Sequence, residues 1–213
     1  MSQSSTIVAM SDVLLVAATE RELCGFEGLT CGVGPVEAAA AVARALAFAP
    51  PRALLHVGVA GGRGLAPGSM AIGSEAIYCD IAAAIPVCRA VAPDGRLVAA
   101  ARRVLPGAVA LPIGTSAVVG SVGRELAVEA MEGFAVLRAA SLAGVPAVEV
   151  RAIANEIGEP ERQRWRIEDA LGALSLVLPT LVVAIEEAVP PSEGVDQHRD
   201  VELLGRRSLV DPA

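Results

Sequence analysis

Aromatic side chains make up only 2% of this 213-residue chain, as one Trp, one Tyr and three Phe, so its core has to be assembled from aliphatic residues. Hydrophobic residues still reach 54% and charged ones 19%, a balance that excludes bulk disorder. The apolar content is broken into many short Ala, Val and Leu runs. None reaches the roughly 18–20 uninterrupted residues of a membrane span, and no membrane partner is expected. The opening MSQSST lacks the basic start and apolar core of a secretion signal, so a cytoplasmic protein is expected.

Basic charge is scarce as well. Seventeen Lys and Arg stand against 24 Asp and Glu, for a net charge of −7, and the basic residues form no long run. That speaks against binding of nucleic acid through a basic surface. Cys24, Cys31, Cys79 and Cys88 show no CxxC spacing and no nearby histidine. They read as small buried hydrophobes rather than disulfides or metal ligands. Of the two histidines, His198 falls in a polar stretch and His56 inside the apolar run ALLHVGVAGG. His56 reads as a satisfied core or interface residue, and neither histidine makes a metal site.

The segments that remain alternate between strand and helix. DVLLVAA, ALLHVGVAGG, SMAIGSEAIYCD and AVEVRAIA read as strands, and AVALPIGTSAVVGSV as extended and turn-rich. GPVEAAAAVARAL reads as a helix opened by Pro35, and GRLVAAARRVL as one stopped by Pro106. A third helix is expected from about Glu132 to Gly144, and a long final one over IEDALGALSLVLPTLVVAIEEAV with a perturbation at Pro179. Strands alternating with helices predict a largely parallel, three-layer α/β domain over residues 6–189. Residues 190–213 read as a polar, mobile tail.

Glycines and acids mark the strand ends. TCGVGP and VGVAGG let backbone pass close to a neighbour at two strand termini, as a pocket for a polar, sugar-like ligand requires. A dinucleotide fold is disfavoured, because CGVGPVEAA lacks the third glycine and no acidic residue closes a second strand. Glu20 and Glu22 follow the first strand, Glu132 lies where an extended segment passes into a helix, and Asn155 closes the strand AVEVRAIA. Taken singly, each is an ordinary helix-start or strand-end residue.

In their order VAATERE, TCGVGPVEAA, LLHVGVAGG, EAMEGFA and VRAIANEIG, these segments resemble the purine nucleoside phosphorylase/methylthioadenosine nucleosidase superfamily over roughly residues 12–188. Within it, EAMEGFAVLRAA followed by VEVRAIANEIGEPERQRWRI is most similar to the futalosine hydrolases, which remove hypoxanthine from futalosine in the alternative menaquinone pathway. The resemblance implies an α/β/α sandwich of the nucleoside phosphorylase type around a central mixed, largely parallel sheet. It implies a nucleosidase that acts on a small nucleoside without cofactor or metal, in a homodimer or higher homo-oligomer. It places Glu22 on the carboxylate that activates water, Glu132 on the one that binds the ribose hydroxyls, and Asn155 on the residue that grips the purine at N7. Met131 falls beside the sugar, and Gly61, Phe134, Ala154, Trp165 and Arg166 are expected around the substrate.

Asn155 carries the choice of base. A 6-oxopurine leaving with N7 protonated offers one donor and, at O6, one acceptor, which a carboxamide matches with its carbonyl and NH₂. Adenine has to gain a proton at N7 that a carboxamide cannot give; the adenine-specific relatives carry an aspartate there. The base-stacking aromatic of many relatives has no counterpart in GTSAVVGSV, where Ala117 or Val118 stands, leaving Phe134, Tyr78 and Trp165 to contact rings. Arg162, Arg164 and Arg166 suggest a lid that offers an arginine to a substrate carboxylate. The alternatives are a 5′-methylthioadenosine/S-adenosylhomocysteine-type nucleosidase and a phosphorylase of the same fold using Arg63 and Ser69 around phosphate.

Overall fold

The computed structural model describes residues 12–190. Its elements run β1 (Val13–Ala17), β2 (Leu29–Thr30), α1 (Pro35–Phe48), β3 (Ala53–Gly62), β4 (Met70–Tyr78), β5 (Ala90–Val91), α2 (Gly95–Val104), β6 (Val109–Thr115), β7 (Val128–Ala130), α3 (Gly133–Leu142), β8 (Ala147–Glu156) and α4 (Ile167–Ala188). Apart from Pro190, the tail expected over 190–213 lies outside the described residues, as does His198.

β3 and β8 are the long, nearly all-apolar runs, and a strand of that composition is stable only when both faces are covered. They pair in parallel from Leu54–Ala147 onward and form the centre of the sheet. β1 adds in parallel on the other side of β3, with β2 outside it. The remaining strands bend this sheet back on itself. β7 runs antiparallel to the end of β3, β6 parallel to β7, β4 parallel to β6, and β4 returns antiparallel to β8. Five strands thus close a ring, and β1–β2 and β5 extend from it. The sheet is mixed and mostly parallel, in the α/β/α arrangement. The ring is an addition to the open sheet that the alternation of elements implies.

Helices cover the two faces in pairs. Ala38, Val42 and Leu46 of α1 meet Val136, Ala139 and Ala140 of α3 on one face. Leu97, Ala100 and Ala101 of α2 meet Leu174, Leu178 and Leu181 of α4 on the other. Helix starts follow their chemistry. Asp94 accepts from the backbone N–H of Arg96 at 2.8 Å and caps α2, while Pro35 opens α1 with its φ already helical. α4 runs on through Pro179 rather than breaking there. The carbonyl that Pro179 leaves unpaired is that of Ser175, and both residues face solvent, where water can accept the role. The helical stretch Arg162–Ala188 is long and apolar enough to cross a membrane by length and composition alone. Its buried stripe, from Ala170 to Ile185, packs into the core beneath β8 and β3.

Candidate active site

β1, β3 and β8 are parallel, so their carboxyl ends lie together, and the chain brings its polar residues to that edge. Glu22 hangs in the turn after β1. Its Oε2 accepts from the backbone N–H and the hydroxyl of Thr19, at 3.0 and 2.8 Å, and its Oε1 accepts from Val59 N–H at 3.0 Å. Only 7% of Glu22 is exposed, whereas its neighbour Glu20 points into solvent. Glu132 stands at the junction of β7 and α3. Its Oε1 accepts from Gly34 N–H at 3.0 Å, which ties the TCGVGP turn to α3.

A cavity of about 310 Å³ opens between these two carboxylates, with Met131, Val59, Val33, Ile167 and Leu171 among its walls. A narrower one of about 90 Å³ shares Val59, Met131 and Ile167 with it and reaches Gly61, Trp165 and Asn155. Asn155 belongs to β8 itself, which continues two residues beyond the expected end at Ala154. Its Nδ2 donates to the carbonyl of Glu156 at 3.0 Å. A carbonyl only accepts, so this bond fixes the amide's orientation, with Nδ2 towards Glu156 and Oδ1 away from it.

Beneath the larger cavity lies a buried charge cluster, in which His56 is the satisfied core residue that the sequence implies and Glu149 and Arg151 are unexpected. Arg151, Glu149 and His56 are wholly inaccessible to solvent. The Arg151 Nε donates to Glu149 Oε1 at 2.8 Å, and its Nη2 lies 3.5 Å from Glu132 Oε2. Nη2 also meets His56 Nε2, while His56 Nδ1 lies 3.1 Å from the carbonyl of Val16. The carbonyl requires Nδ1 to carry the proton, which leaves Nε2 to accept from the guanidinium. Burial, and then the adjacent Arg151 charge, hold His56 well below the usual imidazole range, so it stays neutral. Burial works against the Arg151 charge, but Glu149, Glu132 and Glu22 outweigh it and keep the guanidinium protonated. Glu149 is pushed upward by burial, against the pull of Arg151.

Two glycines of the motifs exist for this cluster. A Cβ on Gly58, in VGVAGG, would collide with both Arg151 Nη1 and Glu22 Oε1. A Cβ on Gly133, in EAMEGFA, would collide with the Glu149 carboxylate. Glu149 and Arg151 alternate along β8 and so share one face. Two charged residues at i and i+2 within a run this apolar were the sequence signal for the cluster. Glu129 is a second buried acid not anticipated. Its carboxylate accepts from Gly120 N–H and, at 3.1 Å, from Val122 N–H, which shapes the loop beside Asn155.

Several residues expected around the substrate lie elsewhere. Phe134 stacks on Tyr78 at 5.2 Å between ring centroids, under the groove between α1 and α3, and lines neither cavity. The Ala154 side chain is buried in the core, although its carbonyl accepts from Arg166 N–H at 2.7 Å. Arg166 turns its guanidinium outward to Asp169. Arg164 pairs with Glu159 and Glu161, and Arg162 lies over Trp165. Cys31 is a buried thiol held at about 11 by burial and by the nearby Glu132, and it stays protonated. Among the described residues no group of three or more His, Cys, Asp or Glu is placed to hold a metal ion.

Residues 29–185 match the model of the phosphorylase superfamily. Futalosine hydrolase of Streptomyces coelicolor is 33% identical over 198 residues, covering 78% of this chain and 82% of that one. Among solved structures, a futalosine hydrolase mutant of Helicobacter pylori superposes with a TM-score of 0.72 at 15% identity, over 80% of this chain and 98% of that one. The 5′-methylthioadenosine/S-adenosylhomocysteine nucleosidase of Neisseria meningitidis, in complex with methylthio-immucillin-A, gives 0.71 at 20% identity, over 82% and 99%. At those identities the two structures speak for the fold, while the family model and the Streptomyces relative speak for descent: the chain belongs to the phosphorylase superfamily and stands with the futalosine hydrolases within it.

Proposed function

We propose that this protein hydrolyses the N-glycosidic bond of futalosine, releasing hypoxanthine and leaving the dehypoxanthinyl sugar for menaquinone synthesis. One observation carries the reading: Glu22 and Glu132 flank one cavity, and the narrower cavity that shares Val59, Met131 and Ile167 with it reaches Asn155. Cleavage of a ribosyl–purine bond develops positive charge on the sugar and negative charge on the base. In this reading Glu132 accepts hydrogen bonds from the ribose hydroxyls and favours the charge growing on the ring. Glu22 takes the proton of the attacking water, a contribution of roughly 10²–10⁴ in rate.

Asn155 receives the base. With Nδ2 already bonded to Glu156, its Oδ1 is free for N7–H, and the second Nδ2 hydrogen is free for O6. That is the pattern of hypoxanthine rather than adenine.

Phosphorolysis finds less support. Ser69 donates its hydroxyl to the carbonyl of Ala66 at 2.6 Å, and Arg63 Nε faces the carbonyl of Leu126. Neither lines the cavity beside Glu22 or the narrower one at Asn155. The test is to offer futalosine, inosine and methylthioadenosine in parallel and identify the products by chromatography. Hypoxanthine from futalosine, with little adenine from methylthioadenosine, is the expected result. Adenine release as the faster reaction would replace the reading with an adenine nucleosidase.

A further inference from the structure

The larger cavity is polar at its floor and apolar on its walls, and it has one cation at its rim. Glu22 and Glu132 form the floor, and Val33, Ile167 and Leu171 line the way out. Among the described residues, Arg21 is the one positively charged side chain that lines it. Its guanidinium bonds to Glu168 in the first turn of α4, so the pair ties the loop after β1 to α4 across the opening. Both side chains are largely exposed, at 63% and 81%. A bond between two such groups contributes little to stability and exchanges partners readily.

We propose that Arg21 is a specificity residue for an anionic 5′ substituent: it receives a carboxylate at the end of an apolar arm on the nucleoside, and Glu168 is the carboxylate displaced. This rests on the reading of the site as a nucleosidase centre. A ribose held by Glu132 with its base towards Asn155 directs its 5′ carbon out past Leu171 and Ile167. Futalosine carries a benzoate on its 5′ arm. The ring suits the aliphatic walls, and the carboxylate suits a guanidinium at the rim.

The arginines that the sequence offers for this task lie away from the cavity, in exposed contacts of their own. Arg162 lies over Trp165 at 5.3 Å, Arg164 pairs with Glu159 and Glu161, and Arg166 with Asp169. None of the three lines the larger cavity. Glu168 meanwhile acts as a gate on affinity, because the substrate has to compete with it.

The experiment compares kcat/KM for futalosine and for inosine, which lacks the anionic arm, in the parent, Arg21→Gln and Glu168→Gln. Arg21→Gln should lower the futalosine-to-inosine ratio about tenfold or more, the scale of one lost charge-assisted hydrogen bond. Glu168→Gln should raise the ratio several-fold, since it removes the competitor and keeps the arginine. Added salt should lower the ratio in the parent more than in Arg21→Gln. If both substitutions lower the ratio alike, the pair is a structural strap and the inference fails. It fails as well if Arg21→Gln keeps the ratio of a parent that prefers futalosine, and the nucleosidase reading then survives. A parent with no preference for futalosine over inosine overturns both this assignment and the choice of substrate.

Discussion

The Arg151 guanidinium donates its Nε to the Glu149 carboxylate at 2.8 Å, two residues earlier on the same strand, with both side chains sealed from solvent. A buried pair of this kind is a costly way to hold a strand in a core. The desolvation of two ions is repaid only by good geometry and further hydrogen bonds. Here the guanidinium also reaches Glu132 and His56, and its remaining nitrogen, Nη1, has no hydrogen-bond partner among the described residues. That nitrogen lies over Gly58 on the side of Glu22.

The cluster's role separates from its cost in a pair of variants. Arg151→Met alone should destabilise the fold by about 3–5 kcal/mol, because it leaves buried carboxylates without their cation. Adding Glu149→Leu should recover most of the melting temperature. Turnover should stay low in both variants, since neither restores the positive charge beside Glu132 and Glu22. Recovery of activity together with stability would make the cluster purely structural.

Glu22→Gln should remove most turnover, by roughly 10²–10⁴, because an amide cannot take a proton from water. The structure adds a smaller effect on stability. Glu22 accepts from three donors, and the amide's NH₂ has to face one of them, at a cost of about 1–3 kcal/mol. Thermal melts and single-turnover rates read the two effects separately. Near-normal turnover would take the water-activating role away from Glu22.

His56 gives the fold an acid-sensitive element. Its native pKa lies well below the unfolded value of about 6.5, so below that pH the unfolded chain binds a proton that the native one refuses. Its contribution to stability is therefore present above pH of about 6.5 and is lost as the solution becomes more acid. His56→Gln keeps an acceptor for Arg151 and a donor for Val16 but does not titrate. Between pH 7 and 5 the parent should lose more melting temperature than this variant, and equal losses would show that His56 does not refuse the proton.

Asn155→Asp should depress hypoxanthine release at neutral pH. One carboxylate oxygen would face the Glu156 carbonyl in place of Nδ2, and two acceptors would meet there as well as at O6. Protonation relieves the first conflict, but it directs the new proton to Glu156 rather than to an adenine N7. The loss should shrink as pH falls, with little adenine nucleoside activity gained. Measuring kcat/KM across pH for futalosine and its 6-amino counterpart decides this. An unchanged preference for the 6-oxo substrate at full rate would leave Asn155 as a strand-end residue only.

The elements that could be read from sequence are the ones with long signals. β3 and β8 are ten-residue apolar runs, α1 opens on a proline, and α2 stops just before Pro106. β2 and β5, of two residues each, and β7, of three, are shorter than any period that could reveal them. Closure of the ring depends on β4 meeting β8 in antiparallel, a tertiary event with no local mark. At the site, Glu20, Glu22, Glu132 and Asn155 stand out because they interrupt apolar text at element ends, and only the family resemblance prefers Glu22 to Glu20. Glu149 and Arg151 are hidden in the sequence because the strand around them reads as core. The scarcity of rings makes Phe134 a candidate for the site, whereas its stacking on Tyr78 takes it to the α1–α3 groove.

Two features define the proposed reaction: water rather than phosphate as the nucleophile, and futalosine as the nucleoside. Pure protein and futalosine in phosphate-free buffer, with free hypoxanthine followed over time, test both together. The prediction is full turnover without phosphate, no acceleration when phosphate is added, and no sugar 1-phosphate among the products. Turnover that requires phosphate and yields the sugar 1-phosphate would contradict it.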